Sequence, residues 1–167
     1  MHLDEIPDDG SRQHEVFARF GLAAYMAQVF EAALMNLIVV AYLATGRFNS
    51  DDAFERLVNR LQQLTAGQRL TQVRNLGFVS ENLAARAADC VRLRNRLAHH
   101  FFWDHSLRFM TNPGMQEMLE ELDTARDQFE SIASKIRQLV VKIGTPVGVS
   151  NDRIEAVTDE LMKATKD

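Results

Sequence analysis

Cysteine is almost missing from this chain: Cys90 is the only one in 167 residues, which excludes an internal disulfide framework and any zinc site built on clustered thiolates. Proline and glycine are scarce, at 3 and 8 residues, so neither a collagen-like repeat nor a Pro/Gly-rich disordered tract fits. No stretch alternates apolar and polar residues with the period of two that a half-buried strand needs, and there is no internal repeat or low-complexity tract. Phosphate-cradling glycine loops and a glycine-flanked nucleophilic serine are missing as well. A charged stretch followed by a short apolar run does not open the sequence, and a cytoplasmic location is the expectation.

What is present is enough for a core. Hydrophobic residues make up 46% and charged residues 25% of a 19.0 kDa chain, the balance of a soluble globular protein. The expected architecture is all-α, an antiparallel helical bundle of four to five helices over residues 1–143, followed by a linker and a short C-terminal helix over residues 144–167.

The net charge of −4 argues weakly against a nucleic-acid partner, because phosphate binding needs clustered Lys and Arg. The average conceals a sharp distribution. Residues 1–55 carry 3 basic and 9 acidic side chains, residues 56–108 carry 9 and 3, and residues 109–167 carry 7 and 11. All nine basic residues of the middle third are arginines. Guanidinium is a planar, weakly hydrated fork, so this block fits bidentate recognition of phosphate or carboxylate. It also fits a solvated helix face, or arginines paired with the acidic ends of the same chain.

From about Arg12 to Ala44 no proline intervenes, and Phe20 to Ala44 is apolar except for Gln28, Glu31, Asn36 and a few glycine or tyrosine positions. A helix apolar all round is expected to be buried all round. It is long enough for a bilayer, but the mid-segment Glu31 opposes insertion and no second such segment exists, so a central bundle helix that also serves a subunit interface is favoured over a membrane anchor. Gly46 should end it, Ser50 should cap a second helix that Gly67 closes, and a short helix or turn spans Gln68 to Leu76 before Gly77. Ser80 opens a third long helix reaching about Phe101. Phe102 to Gly114 reads as a loop, because Asn112-Pro113-Gly114 is a turn signal. A fourth helix runs from Pro113 to about Ile143, lined inside by Met118, Leu119, Leu122, Phe129, Ile132, Ile136, Leu139 and Val140. Asn151 or Asp152 then caps a terminal helix with Ile154, Val157, Leu161 and Met162 on one stripe, ending near Ala164.

Chemistry concentrates between Arg92 and His105, where His99, His100 and His105 stand beside Arg92, Arg94, Asn95, Arg96 and Asp104. At about 100° per residue, Arg92, Asn95, Arg96 and His99 share one arc, while Arg94 falls among Cys90, Val91, Leu97 and Ala98 on the apolar face. A guanidinium there needs a carboxylate, and Glu31, the lone charge of the apolar first helix, is the expected partner. On geometry alone Arg94 can be a staple between two helices and nothing more. A metal site drawn from His100, Asp104 and His105 lacks a firm third ligand and any HExxH spacing. Cys90, flanked by alanines and Val91, reads as a small core residue rather than a reactive thiol. Trp103 is expected in the core of an aromatic cluster, with stacking on a base as the alternative.

Arg94-Asn95-Arg96-Leu97-Ala98-His99 resembles the signature of the HEPN family, an Arg followed by a polar residue, often Asn, and a His a few residues on, late on a long third helix of an all-α bundle. The likeness covers about residues 12–143. It implies a metal-independent endoribonuclease, possible as a toxin or defence nuclease, or else a non-catalytic relative binding RNA or a partner protein. No cofactor is implied. A homodimer is, with two copies of the motif facing one cleft. By the same resemblance Arg94, Asn95 and His99 are the catalytic residues; Glu31, expected against Arg94, and the neighbouring Arg92, Arg96, His100 and Asp104 are candidates for support, and the expected partners are a second copy, an RNA substrate and an antitoxin protein. Some toxin relatives carry a tyrosine two residues after the motif His that their antitoxin adenylylates. Phe101 stands there in this sequence, so that route of inactivation lacks its hydroxyl. His100 also satisfies the spacing, and either histidine can be the motif residue.

Overall fold

Capping chemistry fixes most of the element boundaries. The computed structural model describes Pro7, residues 10–47 and residues 50–149, and these are all-helical, with no strand among the described residues. In chain order the α-helices are α1 (Ser11–Ala44), α2 (Asp51–Gln63), α3 (Ala66–Asn75), α4 (Glu81–His99), α5 (Phe101–Asp104) and α6 (Asn112–Gly144), with 3₁₀ turns at Arg108–Met110 and Thr145–Val147. Six helices are thus described where four to five were expected. The terminal helix expected from Asn151 or Asp152 to Ala164 lies outside the described residues, and of the 144–167 segment only 144–149 is described.

Gly46 ends α1 in the left-handed region (φ +64°), where a Cβ would be strained, and the Arg47 amide returns to the Tyr42 carbonyl at 3.1 Å. Ser50 caps α2 as expected, its hydroxyl accepting from the Ala53 amide at 3.2 Å. Gly67 does not close that helix. Thr65 and Gln68 form a reciprocal capping box, with the Thr65 amide donating to Gln68 Oε1 at 2.9 Å, so α3 starts before Gly67 and takes it into its first turn. The expected loop from Phe102 to Gly114 is largely helical too: α4 stops at His99, α5 follows, and α6 begins at Asn112 with Pro113 in its first turn.

The chain forms two compact units, each drawing on part of α1 and part of α6. Among the described residues, one comprises those up to Ala32 together with Glu81–Ala133; the other comprises those of 33–80 together with 134–149.

The first unit buries Val16, Ala23 and Phe30 of α1, Cys90 and Leu97 of α4, Phe101 of α5, and Met118, Leu122, Phe129 and Ile132 of α6. Phe30 and Phe129 meet at 6.1 Å between ring centroids. Burying such side chains contributes about 1.5–3 kcal/mol each. Arg19 of α1 ties the unit at its edge, donating to Glu15 at 2.7 Å and to both Asp123 oxygens at 2.6 and 2.8 Å; these bonds hold its guanidinium above the ordinary arginine range.

In this unit α1 is not buried all round. Phe17, Leu22 and Tyr25 are 50, 41 and 60% exposed, and Ala18, Gly21, Gln28 and Ala32 continue the open stripe at helical spacing. An apolar composition does not guarantee neighbours on every side. By length and composition alone α1 is also a helix that a bilayer could accommodate, with mean hydropathy 1.7 in its most apolar window.

The second unit is built around Leu34, Leu37, Ile38 and Ala41 of α1, with Leu57 and Leu61 of α2, Leu70 and Val73 of α3, and Ile136 and Val140 of α6. Arg69 of α3 donates to the carbonyls of Leu61 and Gln62 at 3.0 and 3.3 Å, joining the Leu64 amide on Leu61 and tying α3 to the end of α2.

Candidate nuclease motif on α4

The site lies entirely in the first unit. Glu81 in the first turn and Arg96 in the last turn of α4 complement its macrodipole, and His100, with non-helical torsions (φ −131°, ψ −18°), breaks the helix just past His99. The motif therefore occupies a helix end, with its polar arc turned outward.

Arg94 meets the partner expected from the sequence. Its Nε donates to Glu31 Oε1 at 2.5 Å, with the arginine side chain 35% and the glutamate 16% exposed. Nη1 of the same guanidinium reaches the Asn95 side-chain oxygen at 3.4 Å. Glu31 thus holds one edge of the fork, and Asn95, its oxygen taken, has its NH₂ left to donate outward. Asn95 and His99 are both exposed, one helical turn apart on the same face. The His99 and His100 rings stand 6.3 Å apart in an edge arrangement, both exposed.

A hollow of about 110 Å³ opens beside the Arg94–Glu31 pair, floored by Phe20, Ala27 and Leu97. That is well below the roughly 300–1,000 Å³ of a pocket that engulfs a small ligand. Within this unit the hollow is a shallow platform, not an enclosure.

The other residues named from the sequence divide. Arg92, highly exposed, pairs with Asp89 one turn back. Arg96 is tied down instead of facing substrate: Nε bonds Asp104 at 3.2 Å and Nη1 bonds Glu121 of α6 at 2.7 Å. His105 follows α5 and is held firmly in place. It is 2% exposed, its Nε2 is 2.9 Å from Glu121 Oε2, and its ring meets Phe101 edge-on at 4.7 Å. The metal site drawn from His100, Asp104 and His105 is accordingly not assembled, because Asp104 turns to Arg96 and His105 to Glu121; no group of three His, Cys, Asp or Glu able to hold a metal occurs among the described residues. Glu121 was missed in the sequence. Its signal is the acidic run Glu117, Glu120 and Glu121, with Glu117 and Glu121 one turn apart where Arg108 and Arg96 meet them.

The aromatic cluster is split. Phe101 is buried, and Phe102 packs on Phe17 and Phe20 at 5.5 and 4.9 Å, so the segment after the motif is pinned to α1. Trp103 is not core: it is 83% exposed, beside the equally open Leu107 and Met110. Cys90 is a core residue. Burial, helped by neighbouring Asp89, pushes its thiol up to about 11, and Sγ lies 3.9 Å from the Gln128 carbonyl it donates to.

Comparison with protein-family models, curated proteins and solved structures finds no match to this chain. The motif's chemistry rests on its own residues.

Proposed function

We propose that this chain is a HEPN-like, metal-independent endoribonuclease that acts as a homodimer in the cytoplasm. The observation that carries the reading is the outward display of Asn95 and His99 one turn apart, beside a guanidinium fixed between Glu31 and Asn95. In this mechanism the His99 imidazole accepts the proton of the ribose 2′-hydroxyl as that oxygen bonds to the adjacent phosphorus. The P–O5′ bond breaks and the departing 5′-oxygen takes a proton from water, leaving a 2′,3′-cyclic phosphate on one fragment and a 5′-hydroxyl on the other. Arg94 neutralises the charge that grows on the non-bridging oxygens, and the Asn95 amide orients the phosphate or ribose.

The shallow hollow supports the dimer, since a second copy is needed to wall in a strand, and the open apolar stripe Phe17, Leu22, Tyr25 supplies a surface for it. An antitoxin protein would inhibit by covering this face, because Phe101 has no hydroxyl to modify and is buried.

A second reading, a non-catalytic module of the same type binding RNA or a protein, is favoured by one fact: Glu31 accounts for Arg94 without any substrate. Incubation with single-stranded RNA in EDTA separates the two. His99→Ala should lower cleavage about 10²–10⁴-fold, the scale of losing one acid–base group, while EDTA and the exposed Arg137→Ala control leave it unchanged. If His99→Ala is folded, dimeric and cleaves like the parent, the binding-module reading replaces the nuclease.

A further inference from the structure

The arginine block of the middle third is divided by the fold. In the first unit Arg92 is held by Asp89, Arg94 by Glu31, Arg96 by Asp104 and Glu121, and Arg108 by Glu117. In the second unit Arg56 and Arg60, one turn apart on α2, meet Arg47 from beyond the end of α1, and all three line one cavity of about 350 Å³. No carboxylate lies within ion-pair distance of any of the three among the described residues. Arg47 lies over the Tyr42 ring, 5.1 Å from its centre, which steadies the guanidinium plane and leaves its edge N–H groups free to donate. An adjoining hollow of about 290 Å³ shares Tyr42, Arg47 and Arg60 and adds the side chains of Gln72 and Asn75.

We infer that this cavity binds a small molecule carrying a chain of two or three phosphates. Three guanidiniums converging on one hollow match charge concentrated on a few neighbouring atoms. An extended strand instead spreads one charge per nucleotide and suits a long basic track. The volume falls within the range of small-ligand pockets. The hollow beside it takes the uncharged remainder of the molecule, with the exposed Asn75 amide supplying a donor and an acceptor. At α2's last turn Arg60 also complements the helix dipole, but Arg47 and Arg56 have no such role. The site is independent of the α4 motif.

The test is calorimetric titration of the full chain with inorganic tripolyphosphate at low salt. The parent should bind in the micromolar range and orthophosphate at least tenfold more weakly. Arg47→Gln, Arg56→Gln and Arg60→Gln should each weaken tripolyphosphate about tenfold, and Arg137→Gln should not. All three arginines are exposed, so circular dichroism should show parent-like folding. Binding should weaken as salt rises, and that salt dependence should become shallower with each guanidinium removed. No binding at millimolar tripolyphosphate overturns the inference, as does an Arg56→Gln/Arg60→Gln variant that binds like the parent. Tighter binding of a single-stranded RNA 12-mer with the same arginine dependence overturns it too, since the cavity would then read a strand.

Discussion

Cys90 shows how burial alone decides the chemistry of a side chain. Its thiol is raised to about 11 from an ordinary value near 9, chiefly by desolvation. About two pKa units leave roughly 10²-fold less thiolate near neutrality, before counting the closed path to reagent. Iodoacetamide at pH 8 should therefore alkylate the unfolded chain readily and the native protein hardly at all, as read by mass spectrometry. The sign of the linked stability follows. The folded state holds the thiol proton more tightly, so the contribution is complete below about pH 9 and lost as pH rises toward 11, on the order of 2–3 kcal/mol. Urea unfolding of Cys90→Ala, which has no proton to lose there, should lack that part of the alkaline decline.

At Arg94 the same scale of reasoning separates packing from chemistry. The pair with Glu31 is only partly exposed, so breaking it costs more than a surface ion pair and less than a fully buried one, about 1–2 kcal/mol. Glu31→Gln keeps the shape and removes the charge. Urea denaturation should show that loss, and RNA cleavage should fall as the guanidinium loses its fixed edge. Unchanged stability in Glu31→Gln would mean the pair holds nothing. This pairing was legible in the sequence because a single charge interrupts an otherwise apolar run, and a single guanidinium falls on the facing apolar arc.

Among the elements, starts and stops were legible where one residue does the work. Ser50, Gly46 and Gly77 act locally, and each sits where the sequence put it. Gly67 was misread because glycine is a weak stop signal beside a complete Thr65–Gln68 capping box. Glu121 was missed because its partners His105 and Arg96 lie on other elements, and no local periodicity reports a pairing across that distance. The turn signal Asn112-Pro113-Gly114 was real, but its physical meaning differs. It opens α6, and Gly114 is needed because a Cβ there would come 2.3 Å from the Arg108 carbonyl oxygen, a backbone atom that cannot step aside alone. Gly114→Ala should cost about 1–3 kcal/mol through this overpacking, despite alanine's better helix propensity. Thermal unfolding should show a clear drop in Tm, and a Tm equal to or above the parent's would contradict the close approach.

At the scale of the whole molecule, the all-helical class followed from composition and period, but which surfaces remain open did not. The sequence makes α1 apolar around its circumference; only the packed first unit reveals that, among the described residues, Phe17, Leu22 and Tyr25 stay largely exposed while Val16, Ala23 and Phe30 are buried. Their stripe abuts the aromatic cluster that anchors the segment after the motif, since Phe17 also packs on Phe102 and Phe109 at 5.5 and 5.4 Å. A second copy seated on this stripe would bury apolar surface and bring another motif near the first, which the shallow Arg94 hollow requires if it is to enclose RNA. Leu22→Asp/Tyr25→Asp places two like charges on that stripe without touching a buried side chain. Light scattering at micromolar concentration should report a dimer for the parent and a monomer for the variant, with circular dichroism unchanged. If the chain is the proposed nuclease, cleavage should fall with the dimer, because the His99 side chain is untouched while its enclosure is lost. A parent that is monomeric yet cleaves RNA would place the complete site within one chain and remove the reason for the interface.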